Sequence, residues 1–418
     1  MALAIEQHYD VVIVGAGMVG ASLANALVCN PQRKPPSLLV VEAAAPLKSD
    51  DQILQPGFDI RSTVLSASTV EYFRVLGIWE HLVSHAEPII DIHVSDKGRF
   101  GSVRLDSATE RVPALGYVTE NRALGLALNK ALLAQEHVEV SAPVTVESIS
   151  PCPGGMSLRL KSNEQGKEQV ITASLVVLAD GGRSGLPAQL GISQAREKYG
   201  QSALIANVAF TSPHNGRAWE RFTPKGPLAL LPLSDIDGMH RAALVWTHPD
   251  KDIQQIFELG DQEFLTQLQL DFGNRVGKFT KVGKRAMFPL ALSTADEQIR
   301  PALVLLGNVA HTLHPVAGQG FNLALRDTMA LAKNILVSIA QDISPGDFKR
   351  LQCYVNEVNT DQLMTIRFSD YMTRMFSSSN RVIAGVRHLG MASIDLLPPL
   401  RNTLSRQSMG MRQARVRL

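Results

Sequence analysis

Two short apolar runs separated by a glycine-rich turn begin the chain. Residues 9–14 and 38–42 are apolar and rich in β-branched residues, which is typical of buried strands, and the second run ends in an acid. Between them, after the glycines of 15–20, small and apolar residues recur at helical spacing. A strand, a glycine turn, a helix and a second strand within about thirty residues predict a βαβ unit, and with it a parallel sheet.

Later segments repeat these signals. Helical periodicity covers residues 67–86 and 121–136, and apolar strands are predicted at 174–179 and 302–306. From residue 322 onward the pattern is helical. The predicted strands and helices therefore come from both ends of the chain.

The middle of the chain, 196–295, alternates differently. Strand-like pieces lie between turns, and one helical piece lies near 262–272, which indicates an antiparallel sheet with a helix. We therefore predict an α/β fold in which an α+β substrate domain is inserted into a Rossmann-like domain. The expected limits are 1–85, 116–195 and 296–345 for the discontinuous Rossmann-like domain, 86–115 and 196–295 for the substrate domain, and 346–418 for a C-terminal helical region with a basic tail.

Composition narrows the class of protein. A length of 418 residues suits two domains, and 45% apolar with 19% charged residues excludes a disordered chain. A formal net charge of +2 does not indicate a nucleic-acid-binding protein. The uncharged runs 11–32 and 301–325 could span a membrane by length, but their internal glycines favour a strand, a turn and a helix in each. No secretory signal is evident, so we expect a cytoplasmic protein.

The first candidate site is a glycine motif with a distant acid. Gly15 permits a tight turn, Gly17 lets the backbone approach a pyrophosphate, and Gly20 lets the helix pack on the strand. Glu42, at the end of the second strand, can accept hydrogen bonds from both ribose hydroxyls of an adenosine. Because an acid there would repel a 2′-phosphate, the motif favours FAD or NAD over NADP. The alternative is a glycine-rich packing turn.

The second candidate site follows the predicted strand at 174–179. Asp180 and Gly181 come directly after it, where the carboxyl ends of parallel strands line a ligand crevice. An Asx-type turn is the structural alternative.

The third candidate site is the segment 307–327, which also begins at a strand end. Asn308 can donate and accept hydrogen bonds, and Gly318 and Gly320 permit a close backbone approach. A helix start is predicted from Asn322, and a helix N-terminus here would favour an anionic or electron-rich ligand.

Potential metal ligands are sparse. Cys29, Cys152 and Cys353 lie far apart without zinc-binding spacing, so a reducing compartment is favoured and each is interpreted as a core residue. His311 and His314 are three residues apart, but two further ligands are not evident nearby. We interpret His311 as a packed or hydrogen-bonded residue and predict no metal.

The three sites, in this order and spacing, resemble those of the class A flavoprotein aromatic hydroxylases, the family of p-hydroxybenzoate hydroxylase. Further stretches at 57–69, 93–101, 221–235 and 245–249 are similar to its ubiquinone-biosynthesis branch, most of all to members that hydroxylate 2-polyprenyl-6-methoxyphenol. The third site matches the family segment at these positions: Gly307, Asn308, Ala310, His311, Pro315, Gly318, Gln319, Gly320 and Asn322.

The resemblance implies a monooxygenase that holds FAD and uses NADPH or NADH as a transient co-substrate. Oxygen would pass from O2 through a flavin hydroperoxide to the ring of a polyprenylphenol. The carbonyl of Pro315 would face the substrate hydroxyl, and the predicted FAD contacts are Gly15, Gly17, Gly20, Glu42, Arg61, Arg122, Asp180, Gly181, Asn308, Gly318, Gln319, Gly320, Phe321 and Asn322. For Arg61 and Arg122, the alternative to an FAD contact is a position on the protein surface.

Two positions depart from the family pattern. Asn308 stands where most members have Asp; the amide keeps the hydrogen bonding but removes a charge. Pro187 stands where many members have Arg, so a nicotinamide contact at that position is less well supported.

The apolar stretch 221–247 is the candidate wall for a polyprenyl tail. Other ubiquinone-biosynthesis proteins and a membrane surface, through the arginine-rich tail, are further candidate partners, while nucleic acid is not. A flavin-dependent reductase of isoprenoid lipids and a non-catalytic flavoprotein scaffold are the alternative functions.

Overall fold

Three sheets and nine helices make up the described part of the chain. The computed structural model describes residues 5–30, 34–45, 61–98, 102–164, 166–313 and 318–377. The strands, numbered in chain order, are β1 (Ile5–Val14), β2 (Leu38–Val41), β3 (Ser62–Ser66), β4 (Ala86–Ile89), β5 (Asp91–Asp96), β6 (Ser102–Asp106), β7 (Gly116–Glu120), β8 (Val138–Ser141), β9 (Val144–Cys152), β10 (Gly155–Ser162), β11 (Glu168–Leu178), β12 (Gln194–Phe210), β13 (Arg217–Thr223), β14 (Gly226–Ile236), β15 (Met239–Pro249), β16 (Phe279–Val282), β17 (Ala286–Ala295), β18 (Ile299–Arg300), β19 (Leu303–Leu305) and β20 (His311–Thr312). The helices are α1 (Met18–Val28), α2 (Ala67–Val75), α3 (Trp79–Leu82), α4 (Asn121–Leu133), α5 (Leu186–Gln189), α6 (Asp250–Glu258), α7 (Asp261–Phe272), α8 (Gln319–Ala340) and α9 (Phe348–Ser377).

Sheet 1 runs in the order β18-β19-β11-β1-β2-β8. Its central pairs are parallel: β1 pairs with β2 and β11, β11 with β19, and β2 with β8. Helices α1, α4 and α8 cover one face, where Ile13 and Leu23 are fully buried in one apolar cluster. The predicted βαβ unit and parallel sheet are therefore confirmed. The antiparallel strands β9 and β10 extend this sheet from β11.

Sheet 2 runs in the order β20-β17-β12-β15-β14-β13-β5-β6 and is antiparallel except for the pair of β13 with β5. Helices α6 and α7 cover one face, where Trp246, Phe264 and Phe272 are buried together. The predicted antiparallel sheet with a helix is confirmed. Strands β5 and β6 join this sheet from an earlier part of the chain, which agrees with the predicted insertion, and the exact domain limits stay a prediction.

Sheet 3 is small, with β7 between β3 and β4. Its strands are interleaved in the chain with those of the other sheets: β3 and β4 come between β2 and β5, and β7 follows β6 and leads directly into α4. Helices α8 and α9 pack against each other after the last strand, and the arginine-rich tail lies outside the described residues. Among the described helices, none is both long enough and apolar enough to cross a membrane.

The three cysteines correct one interpretation. Within the described part of the chain none of them forms a disulfide; Cys353 is exposed on α9, and Cys29 and Cys152 are half-buried. The interpretation as a core residue is therefore wrong for Cys353, whereas Cys29 packs against the apolar cluster of sheet 1 as expected. Sequence position on an amphipathic helix did not distinguish its exposed face from its buried one.

Candidate active site

A cavity of about 1010 Å³ lies where the carboxyl ends of the sheet 1 strands face sheet 2. It brings together the three segments that the sequence singled out. The predicted site residues that line it are Gly15, Gly17, Glu42, Arg61, Asp180, Gly181, Asn308, Gly318, Gly320 and Phe321. Segments far apart in the chain thus form one site.

The glycine turn between β1 and α1 has two tightly packed positions and one facing free space. Gly15 has a φ of +103°, and a Cβ there would lie 2.8 Å from the carbonyl oxygen of Ala179. A Cβ on Gly20 would lie 1.9 Å from the carbonyl oxygen of Gly15, so α1 can pack here only without a side chain. A Cβ on Gly17 would meet no heavy atom within 4 Å. This free space beside the N-terminus of α1 can admit the phosphates of a dinucleotide.

Glu42 is fixed by the backbone at the end of β2. Its Oε2 accepts a 2.7 Å hydrogen bond from the N–H of Ala16, and its Oε1 accepts a 2.9 Å bond from the N–H of Ala44. A carboxylate has about four acceptor positions, so two remain for ribose hydroxyls at the cavity surface. The carboxylate therefore both ties the glycine turn to β2 and can bind an adenosine.

Asp180 forms an Asx-type turn, which was the structural alternative to a ligand contact at this position. Its carboxylate accepts hydrogen bonds from the N–H groups of Gly182, at 3.1 Å, and Ser184, at 2.6 Å. It also lines the cavity beside Gly181, whose φ is +73°. Arg183 lines the cavity as well, whereas Pro187 is buried in α5. Arg183 therefore provides a cation on this loop, at a different position from the Arg that many family members have where Pro187 stands here.

The third segment connects the two large sheets. After β19 and a short turn at Gly307–Val309, β20 pairs with β17 at the edge of sheet 2. Helix α8 then begins at Gln319, three residues earlier than predicted, with Gly318 at φ +60° as its N-cap. A Cβ on Gly320 would meet no heavy atom within 4 Å. The N-terminal turn of α8, with its partial positive charge, is therefore exposed to the cavity.

Two arginines were predicted to contact FAD, and the structure separates them. Arg61 lines the cavity, and its guanidinium carbon lies 5.1 Å from the ring centre of Phe288 in β17. Arg122 is exposed in the first turn of α4 and is not among the described residues that line the cavity. The surface alternative is thus favoured for Arg122.

Three other predicted contacts, Gly20, Gln319 and Asn322, also lie outside the described lining. The amide of Asn322 accepts hydrogen bonds from the N–H of Ser66 and the hydroxyl of Thr69, and it donates to the carbonyl oxygens of Val64 and Gly318. It is therefore fully engaged in tying α8 to β3 and α2. Any contribution of Asn322 to FAD binding is indirect, through the shape of the cavity wall.

His311 is buried in β20, and its Nε2 lies 3.4 Å from Oδ2 of Asp327 in α8. Gln362 of α9 donates a 3.0 Å hydrogen bond to the same carboxylate oxygen. His311 is therefore packed, which is one of the two roles interpreted for it, but its Nε2 forms no hydrogen bond among the described residues. Its sequence neighbour His314 and the predicted substrate contact Pro315 both lie outside the described residues.

The apolar wall predicted at 221–247 divides between two faces of sheet 2. Ala229, Leu231 and Val245 line the cavity. The prediction is wrong for the alternate positions, which pack on the opposite face against α6 and α7: Leu228, Leu230, Leu244 and Trp246. Leu233 lies in the cluster of the cavity-facing side but does not line the cavity. The period of two along a strand explains this division.

Sequence reasoning missed several lining residues, above all Glu220 of β13. Burial raises the pKa of its carboxyl to about 7. Thr247 of β15 and Phe368 of α9 also line the cavity. Glu220 occupies a cavity-facing position of β13, on the same face as Ala218 and Phe222, and no signal in the sequence distinguishes it from a solvent-facing charge.

The described residues fit FAD. The free space at Gly17, the fixed carboxylate of Glu42 and the exposed start of α8 provide successive contacts for a pyrophosphate, a ribose and a flavin. The chemistry that FAD supplies would then take place beside the apolar side of sheet 2.

Comparisons with known proteins agree with this fit. The model of the FAD binding domain family (FAD_binding_3) matches residues 8–357. A ubiquinone hydroxylase, UbiL, of Rhodospirillum rubrum is 32% identical over 401 residues, covering 96% of this chain and 89% of that protein. A 3-demethoxyubiquinol 3-hydroxylase of Escherichia coli is 29% identical over 409 residues, covering 97% of this chain and 100% of that protein.

Solved structures show the same fold. The p-nitrophenol 4-monooxygenase PnpA of Pseudomonas putida superimposes with a TM-score of 0.77 at 16% identity, covering 98% of this chain and 100% of that structure. This likeness and the family match confirm the predicted class A monooxygenase fold. The family match and the UbiL relative confirm FAD as the cofactor and an FAD-dependent oxidoreductase.

Proposed function

Because this chain belongs to the FAD binding domain family, we propose that it is an FAD-dependent monooxygenase that hydroxylates the aromatic ring of a polyprenylphenol in ubiquinone biosynthesis. The observation that carries the proposal is the continuity of one cavity. It extends from the dinucleotide contacts at Gly15 and Glu42 to the apolar residues of sheet 2. A ring bound against sheet 2 would thus share one cavity with the flavin.

Two further observations support the substrate class. The cavity side of sheet 2 presents small and aliphatic side chains, among them Ala229, Leu231 and Val245, which suit an isoprenoid tail better than a carboxylate-bearing ring. The relatives named above are called a ubiquinone hydroxylase and a demethoxyubiquinol hydroxylase, and each aligns over nearly the whole chain.

Each group of residues has a defined task in this proposal. The turn at Gly17 and the carboxylate of Glu42 bind the adenosine diphosphate, and the α8 N-terminus with Asn308 and Arg61 holds the flavin half. When bound, FAD supplies the activation of O2, with NADPH or NADH as the electron source. The apolar wall excludes water and positions the ring. The flavin hydroperoxide chemistry and the contact from the Pro315 carbonyl stay predictions.

Oxygen labelling tests the function directly. The purified holoprotein would be given a short-chain 2-prenylphenol, NADPH or NADH, and ¹⁸O₂, and we expect the product to gain one labelled oxygen atom. A product that is reduced but carries no label would favour the isoprenoid reductase. FAD binding without any turnover would favour the scaffold.

The position of hydroxylation needs a separate experiment. We favour the 2-polyprenyl-6-methoxyphenol hydroxylase type (UbiH), and a paralogous hydroxylase of another ring position is the alternative. Fold and cofactor binding do not determine which ring carbon reacts. Deleting the gene and identifying the accumulated quinone precursor by mass spectrometry distinguishes the two, since each position leaves a different precursor.

A further inference from the structure

Glu220 lies within an otherwise apolar row of side chains that crosses sheet 2. Its direct partners in the neighbouring strands are Val94 of β5 and Ala229 of β14, and the row continues to Val245 and Ile205. All five of these side chains line the cavity. Because directly paired residues share a face of the sheet, the carboxyl is presented to the cavity from an apolar wall.

The surroundings provide the carboxyl with no partner. Along its own strand the residues on the same face are Ala218 and Phe222, both buried and apolar. Of the residues that the structure describes, none forms a hydrogen bond or an ion pair with Glu220. Asp96 lies on the same face of β5, two residues beyond Val94, but it is buried outside the cavity lining.

The other titratable groups of the cavity belong to other elements than sheet 2, although the guanidinium carbon of Arg61 lies 5.1 Å from the ring centre of Phe288 in β17. Among the described lining residues these are Glu42, Arg61, Asp180 and Arg183, none of which belongs to sheet 2. Sheet 2 therefore contributes one ionisable side chain to the described lining. An unpaired carboxyl in an apolar wall costs stability, and nothing in the packing requires it, which points to a role in the chemistry.

We propose that Glu220 is a catalytic residue, the general base that accepts the proton of the substrate's phenolic hydroxyl. This inference rests on the proposed function. The phenol O–H bond breaks, an O–H bond forms on the Glu220 carboxylate, and the electron pair stays on the phenol oxygen, where it raises the electron density of the ring. The ring then gains one oxygen atom of O2, and the proton of the C–H bond that is replaced passes to the phenolate oxygen. NADPH or NADH supplies the two electrons that reduce the other oxygen atom to water, which takes up the proton held by Glu220. The remaining hydrogens of the water and the new hydroxyl come from the nicotinamide and from a solvent proton.

The acidity of Glu220 suits this task. An ordinary carboxylate is a weak base towards a phenol, whose pKa is about 10 in water. Burial raises the pKa of Glu220 to about 7, which narrows that difference and places the base near neutral pH. The ionised form is then present at and above neutral pH.

The test compares Glu220→Gln with the wild-type holoenzyme, using a short-chain 2-prenylphenol, NADPH or NADH, and O2. We expect unchanged FAD content and a kcat lower by about 10²- to 10³-fold, the usual contribution of a general base. The wild-type rate should rise with pH through the region near 7, and this rise should be lost in the variant. Glu80→Gln, at an exposed carboxyl on α3, is the matched control.

A series of substrates separates a base from a structural group. More acidic phenols, such as fluorinated 2-prenylphenols, need less help to ionise, so the ratio of wild-type to Glu220→Gln rates should shrink as the phenol pKa falls. A ratio that stays constant, or a Glu220→Gln variant with the wild-type rate and pH profile, overturns the role of Glu220 alone. If the wild type transfers no oxygen to any phenol, the proposed function fails and this role fails with it.

Discussion

The N–H of Ala16 donates a 2.7 Å hydrogen bond to Oε2 of Glu42, so the glycine turn and the acid of the next strand form one unit. The other oxygen of Glu42 accepts from the N–H of Ala44. The carboxylate therefore has an anchored position before any ligand arrives. The glycines and the acid, which are separate elements of the sequence motif, therefore form a single hydrogen-bonded structure.

Glu42→Gln tests this unit. The amide has only one acceptor oxygen, so one of the two N–H groups would face an NH2 group. Charge-assisted hydrogen bonds contribute about 1.5–3 kcal/mol, and we expect FAD to bind at least ~10-fold more weakly. Fluorescence titration of the apoprotein with FAD measures the affinity. Glu80→Gln should leave it unchanged, and equal affinities of Glu42→Gln and wild type would show that the adenosine is bound elsewhere.

Substitutions at Gly17 and Gly20 should impair two different properties, FAD affinity and the stability of the apoprotein. Gly17→Ala places a methyl group in free space, so the apoprotein should keep its melting temperature while FAD affinity falls. Gly20→Ala places a methyl group 1.9 Å from the Gly15 carbonyl oxygen, so the turn must move and the apoprotein should lose stability. Thermal melts of the two apoproteins, followed by FAD titration, separate these effects. A reversed order of melting temperatures would contradict the assignment.

At the other end of the cavity, Gly320 tests the backbone approach to the flavin. Gly320→Val should greatly reduce FAD retention, because its side chain would project into the cavity without a protein clash. Gly320→Ala should reduce it less, while gaining as much as about 1 kcal/mol of helix stability. His311→Ala should retain FAD but melt earlier, since it leaves buried Asp327 with one partner fewer. The flavin-to-protein absorbance ratio after gel filtration, with melting curves, measures both. Equal FAD retention in Gly320→Val and His311→Ala would contradict this prediction.

Local signals were sufficient for the parallel sheet and its turns. The runs around β1, β2 and β19 have the continuous apolar character of strands buried on both faces, and the glycines have steric requirements that the structure reproduces at Gly15 and Gly20. The start of α8 was predicted late. Gly318 and Gly320 both disfavour a helix locally, but Gly318 precedes α8 as its N-cap and only Gly320 lies in the first turn.

The substrate side of the cavity was harder to predict. Alternation along β14 and β15 indicates two faces but not which of them α6 and α7 cover, so Leu230 and Trp246 were assigned to the wrong side. Glu220 was missed for a related reason. A charged residue in a strand is usually predicted to face solvent, and only the pairing of β13 between β5 and β14 shows that it faces a cavity.

His248 makes the fold sensitive to acid. It is fully buried in β15 beside Trp246, and burial, together with Lys225, lowers its pKa from 6.5 to about 4. The unfolded chain therefore binds the extra proton first, and stability falls as pH drops from about 6.5 towards 4, by at most ~3 kcal/mol. His248→Leu should flatten this dependence in urea midpoints measured across pH 4–8. His85→Leu, at an exposed histidine, should not, and an unchanged slope in His248→Leu would refute the assignment.

Glu220 should affect stability in the opposite direction. Its pKa in the folded protein is about 7, above the ordinary 4.5, so the folded state holds the proton more tightly. Its contribution to stability is complete below pH 4.5 and is lost as pH rises to about 7, by at most ~3 kcal/mol. Glu220→Gln stays neutral and should be more stable than wild type at pH 8 but not at pH 4.5. Urea unfolding of both apoproteins at the two pH values measures the difference, with Glu80→Gln as the control. If the stability difference between Glu220→Gln and wild type is the same at both pH values, Glu220 ionises as freely in the folded chain as in the unfolded one. The carboxyl would then lack the raised basicity that proton abstraction from a phenol requires.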